Sequence, residues 1–221
     1  MIEVVSATRK DRSGFAATPL GISLDRLSFD DRLSPQITFE NGRGLPEVYN
    51  ARIEAKSDSD ILLFIHDDVW IDDYFIADRV IDGLVDNQVI GVAGSRRIAE
   101  IDIGWCFKNE QGEWDKPYLS GAVAHGGTPF GRITYFGRSL ALCELLDGVL
   151  LAARRSALIK AGVKFDTRFS FHFYDLDFCR SARRAGLRLR TWQIAITHNS
   201  GGAFGTPTWR EALKVYQRKW R

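Results

Sequence analysis

Apolar residues in this chain fall in short runs of strand length, separated by longer stretches of mixed polarity. Residues 2–7, 36–39, 61–65 and 89–93 read as strands, and residues 18–27, 46–56 and 72–86 between them read as helices. Pro46 is well placed in a first helical turn. This β-α-β-α order predicts a parallel sheet covered by helices. The run Ile61-Leu62-Leu63-Phe64-Ile65 is apolar at every position, the pattern of a strand buried on both faces, and it leads straight into His66-Asp67-Asp68. Residues 101–140 differ in character: rich in Gly and aromatics (Trp105, Phe107, Trp114, Tyr118, Phe130, Tyr135, Phe136), they read as hairpins and long loops. Strand character returns over 145–153 around Asp147-Gly148, and 154–161 is helical. A further helix starts at Phe173 and ends near Gly186, followed by a strand over 187–196. Residues 208–221 form an amphipathic helix with Trp209, Leu213, Tyr216 and Trp220 on one face. That stripe either docks on the domain or, with Arg210, Lys214, Arg218 and Arg221 around it, makes peripheral contact with a membrane surface.

Composition narrows the class. A chain of 221 residues with 45% hydrophobic positions is a folded protein of one domain. The net charge of +2 gives no argument for a nucleic-acid partner, although Arg clusters at 179–190 and 208–221 make the last third locally basic. Cys106, Cys143 and Cys179 are odd in number and widely spaced, which fits reduced thiols in a cytoplasmic protein rather than a disulfide framework or a zinc knuckle. The first residues lack the basic and apolar regions of a signal peptide, and no apolar run approaches the roughly 20 residues that span a bilayer.

Three groups of polar residues stand where an α/β sheet binds ligands. The acids Asp67 and Asp68 cannot remain in the core that buries the preceding strand, so they project into the crevice at the sheet's edge. Paired carboxylates there suit a hard divalent cation; either acid also serves as a helix N-cap. Asp175 and Asp177 open a helix, where a cap and a first-turn acid are also expected. His198 follows the last strand and, alone, is an ordinary loop histidine. In one topology all three face the same crevice, which supplies carboxylates and an imidazole for a metal and a spare carboxylate for base work.

Four motifs then give the chain a resemblance to family 2 glycosyltransferases. His66-Asp67-Asp68 stands where such enzymes hold an Asp-x-Asp motif. Val163-Lys164-Phe165-Asp166-Thr167-Arg168-Phe169 resembles their Gly-Phe-Asp-Glu-x-Phe segment. Tyr174-Asp175-Leu176-Asp177-Phe178-Cys179-Arg180, with Arg184-Ala185-Gly186 after it, resembles their Glu-Asp-x-Asp-Leu-Cys-x-Arg helix. His198 with Ser200-Gly201-Gly202 is similar to the histidine after their last core strand. The pattern is broken at His66, which replaces the first acid, at Tyr174, which replaces the glutamate, and before Phe165, where a glycine is missing.

The resemblance implies a GT-A (Rossmann-like) fold of the α/β class, three layers α/β/α around a mixed, mostly parallel central sheet. It implies a single domain over 1–221, with 1–100 as the nucleotide-binding half and 101–221 as the acceptor and catalytic half. The activity implied is metal-dependent, inverting transfer of a sugar from a nucleotide-diphospho sugar, a UDP-sugar by the family pattern, to a glycan, lipid-linked or protein acceptor. Asp175 takes the position of the base, and Asp68 with His198 holds a divalent cation, Mn²⁺ or Mg²⁺. Asp67 either replaces the lost acid on the metal or contacts the ribose. Thr8, Arg9, Asn41, Tyr49 and Asn50 fall where the family binds the nucleotide, although Asn41-Gly42 is equally a turn. Asp147, Gly148 and Tyr174 fall near the donor and acceptor sugars, and the aromatics of 105–136 either stack on sugars or pack in loops. The rival to this enzyme is a non-catalytic nucleotide- or glycan-binding module of the same fold. A nucleotidyltransferase ranks last, for want of a phosphate loop after the first strand.

Overall fold

The computed structural model describes residues 1–200, 202 and 204–220; Gly201 and Arg221, used in the motifs above, lie outside the described residues. In chain order the strands are β1 (Ile2–Ala7), β2 (Leu33–Thr38), β3 (Ile61–Ile65), β4 (Val69–Ile71), β5 (Val89–Gly91), β6 (Ala93–Ser95) and β7 (Leu119–His125). They continue with β8 (Arg132–Gly137), β9 (Leu142–Cys143), β10 (Leu145–Leu146), β11 (Leu150–Arg154), β12 (Leu189–Thr191) and β13 (Ile196–His198). The helices are α1 (Arg12–Ala16), α2 (Pro19–Arg26), α3 (Leu45–Glu54), α4 (Ile76–Gly83), α5 (Arg155–Ala161), α6 (Tyr174–Arg184) and α7 (Pro207–Trp220).

The central sheet runs β2-β1-β3-β11-β5-β12-β9, with β11 and β9 antiparallel to their neighbours and the other strands all pointing one way. Alternation along its strands divides the interior in two. Val5, Leu62, Phe64 and Leu151 enter one core with residues of α3, α5 and α6, whereas Val4, Leu63, Ile65 and Leu150 enter the other with residues of α2 and α4. Helices therefore cover both faces, the three-layer arrangement expected. Pro35 lies in β2, an edge strand, where a missing amide is tolerated.

A second sheet, β10-β6-β7-β13-β4 with β8 on β7, was not legible as such. The expected strand over 89–93 is two strands in two sheets, and so is the one over 187–196. After the first switch β6 lies close against β10: a Cβ on Gly94 would sit 2.2 Å from the Leu145 carbonyl oxygen. The expected helix over 72–86 contracts to α4, because β4 precedes it and the Asp72 carboxylate accepts the Thr197 hydroxyl at 2.6 Å and the Phe130 amide at 3.2 Å. Helix α7 docks on the domain. Tyr216 is fully buried, and Trp209, Leu213 and Trp220 pack on the core, so the apolar stripe weighed for a membrane faces protein. Among the described residues no helix is long and apolar enough to cross a membrane.

Candidate active site

Register assembles the first part of the site. Strand β3 delivers His66-Asp67-Asp68 at its carboxyl end, and the pairing of β13 with β4 sets His198 opposite Val69. One ligand atom each from His66, Asp68 and His198 then lies within 4.8 Å of the others. Asp68 Oδ1 is buried 3.3 Å from His198 Nε2 without a hydrogen-bond partner. Burial works to raise the Asp68 pKa, but the two imidazoles outweigh it and hold the carboxyl below its ordinary value. Burial likewise works to lower His198, and the nearby carboxylate outweighs it in the other direction. For His66 burial prevails and lowers the pKa, which keeps the ring neutral. A buried carboxylate oxygen among imidazoles fits a divalent cation.

Asp67, expected on the metal or the ribose, is not in this cluster. It lines a separate cavity of about 920 Å³ with Thr8, Arg9, Asn41 and Arg43. Phe171 lines this cavity and also a second one, of about 290 Å³, into which His66, Asp68, His198, Asp147 and Asp175 open.

The turn Asp147-Gly148 between β10 and β11 and the first turn of α6 build the second part. Asp175 accepts the Gly148 amide at 2.9 Å, and Tyr174 donates its hydroxyl proton to the Gly148 carbonyl at 2.9 Å. Only glycine permits this approach, since a Cβ on Gly148 would lie 2.5 Å from the Tyr174 hydroxyl and 2.8 Å from the Asp175 Cβ. Asp147 is held by the Trp105 indole N–H at 2.8 Å and by the Val149 amide at 2.9 Å. Burial and the Asp147 charge push the Asp175 carboxyl up to about 7. Phe173 enters the helix with a left-handed φ of 65°, stacked 5.1 Å from Tyr216. Packing thus enforces a backbone conformation that a bulky residue rarely adopts and turns Tyr174 and Asp175 inward.

Two expected nucleotide residues turn to other partners. Tyr49 is fully buried among Phe64, Phe165 and Tyr174, out of reach of a ligand, because the phenol's apolar body faces the core from α3. The Asn50 amide spans the backbone of Phe165, donating to its carbonyl at 2.8 Å and accepting its N–H at 2.9 Å. Asn41 reaches the large cavity, but its amide is closed on the backbone of Arg43, at 2.8 and 3.2 Å. Two features escaped the sequence. One is His66 as a member of the cluster. The other is Phe204, which joins Phe107 and Trp209 into an aromatic wall of the smaller cavity, with successive ring centroids 4.5 Å apart. An unpaired Phe beside glycines is a weak signal, and nothing local ties it to Phe107.

No protein-family model and no curated protein matches the chain. Solved structures do. The mannosyltransferase PcManGT from Pyrobaculum calidifontis, in complex with GDP-Man and Mn²⁺, superposes with a TM-score of 0.52 at 12% identity over 95% of this chain; the chain spans 59% of it. The catalytic domain of Drosophila β1,4-galactosyltransferase 7, in complex with xylobiose, gives 0.53 at 11% identity, covering 96% of this chain and 79% of that one. GalNAc-T7 with UDP, GalNAc and Mn²⁺ gives 0.55 at 12% identity, covering 98% and 48%. The fold is that of the GT-A glycosyltransferases.

Proposed function

We propose that the chain is a metal-dependent, inverting glycosyltransferase acting on a nucleotide-diphospho sugar. One observation carries this reading: the His66–Asp68–His198 cluster and a carboxyl poised near 7 open into the same cavity. Asp68 and His198 would hold a divalent cation, which when bound supplies charge neutralisation for a departing diphosphate. Thr8, Arg9 and Arg43 line the larger cavity, where the basic side chains suit phosphates and Asp67 suits a ribose hydroxyl. Asp175 takes the proton of the attacking acceptor hydroxyl; a carboxylate of pKa near 7 is half ionised at neutral pH, the condition a general base needs. A base on the acceptor side with direct displacement inverts the anomeric centre. The aromatic wall beside Asp175 suits the apolar faces of a sugar and favours a glycan-bearing acceptor, free, lipid-linked or on protein. Residues 1–100 would then supply the nucleotide side and 101–221 most of the acceptor side. The Asn41 amide is closed on its own turn rather than turned to a base.

Thermal unfolding with UDP, GDP, CDP and dTDP, each with and without Mn²⁺, tests the reading. One nucleotide should raise Tm, and more so with metal. Flat curves for all four would contradict it.

A further inference from the structure

The two clearest departures from the motif pattern, His66 and Tyr174, touch each other. His66 Nε2 lies 2.9 Å from the Tyr174 hydroxyl, across 108 positions of sequence. That hydroxyl has a single proton and gives it to the Gly148 carbonyl at 2.9 Å, an oxygen that can only accept. Tyr174 therefore meets His66 as an acceptor, and the His66 ring proton sits on Nε2. The lone pair is left on Nδ1, and His66 offers one ring nitrogen to the cluster with Asp68 and His198.

From this we infer that His66 is a third metal ligand, bound through Nδ1, and that Tyr174 is the positioning residue that fixes its tautomer and ring. The inference rests on the metal-dependent reading above and deepens it. The two departures form one exchange. An imidazole replaces an acid on the metal, and a phenol replaces a carboxylate that would have stood as a third acid beside Asp147 and Asp175. A partner on the far nitrogen orients a ligating histidine and raises its basicity. Two imidazoles and one carboxylate also change the choice of ion, favouring Mn²⁺, Co²⁺ or Zn²⁺ over Mg²⁺, which prefers oxygen.

Protein labelled with ¹⁵N-histidine tests this by long-range ¹H–¹⁵N spectra. His66, His125, His172 and His198 are assigned from single His→Gln variants. Metal-free protein should show His66 protonated on Nε2. Zn²⁺ alone, a diamagnetic probe, should shift His66 Nδ1 together with the His198 ring. Tyr174→Phe should mix the tautomers and weaken Zn²⁺ binding about 10–100-fold. His66→Asp should raise Mg²⁺ affinity relative to Mn²⁺. Shifts at His198 with none at His66, or a His66 proton on Nδ1, overturn the inference and leave the metal-dependent reading standing. Unchanged Zn²⁺ affinity in Tyr174→Phe removes the role given to Tyr174. No movement of either histidine at millimolar Zn²⁺ overturns the inference together with the metal in that reading.

Discussion

Asp175 and Asp177 stand on opposite faces of the first turn of α6, and the two faces hold opposite chemistry. On the outer face, Asp177 accepts the Trp220 indole N–H at 2.8 Å and pairs with Lys219 at 2.7 Å, while Lys219 also reaches Asp166 at 2.7 Å. This network joins α6, α7 and the loop at Asp166. On the inner face, Asp175 accepts one backbone amide and faces the charge of Asp147. Burial raises both carboxyls; Lys219 and Trp220 counteract the rise at Asp177, and Asp147 adds to it at Asp175. An acid given a counter-ion is tying elements together. An acid held beside another acid with no counter-ion is unfavourable to ionise, and such groups gather at functional sites.

The comparison breaks most sharply under substitution of the inner acid. Asp175→Asn should lower transfer by about 10²–10⁴-fold with nucleotide binding unchanged, measured by diphosphate release and by calorimetry. The same substitution should stabilise the fold. A carboxyl moved from 3.8 to about 7 loses at most about 4 kcal/mol of stability once it ionises. The native state binds the proton more tightly than the unfolded chain, so wild-type stability is intact below pH 4 and falls as the pH rises to about 7. Urea unfolding at pH 4.5 and pH 8 should show the advantage of the variant growing between them and flat above. On the outer face the signs reverse: Asp177→Ala should destabilise by about 2 kcal/mol and leave kcat within a few-fold of wild type. The smallest effect belongs to Asp147→Asn, which removes the charge beside Asp175 and should move the acid limb of the kcat/KM profile to lower pH.

Much of the frame was legible because its causes are local. Ile61–Ile65 reads as a doubly buried strand since Leu62 and Leu63 must enter different cores. Asp68, Asp175 and His198 were legible because each sits where a strand ends or a helix begins. What stayed hidden depends on distant partners. The passage between sheets at Val92 leaves an apolar run unbroken, and β4 is too short to show a period. Tyr49 and Asn50 match a motif position, yet one fills the core and the other ties down Phe165, roles set by residues more than 100 positions away. His66 looked like a lost acid until the fold brought Tyr174 to it.

The most direct test of the central claim is nucleoside diphosphate release from UDP- and GDP-sugars, with Mn²⁺ and a panel of glycan acceptors, in wild type and Asp175→Asn. The account predicts acceptor-stimulated release from one donor class, reduced at least about 100-fold in the variant while that variant still binds the nucleotide. Equal release from both proteins, or binding without release from any donor, would contradict it.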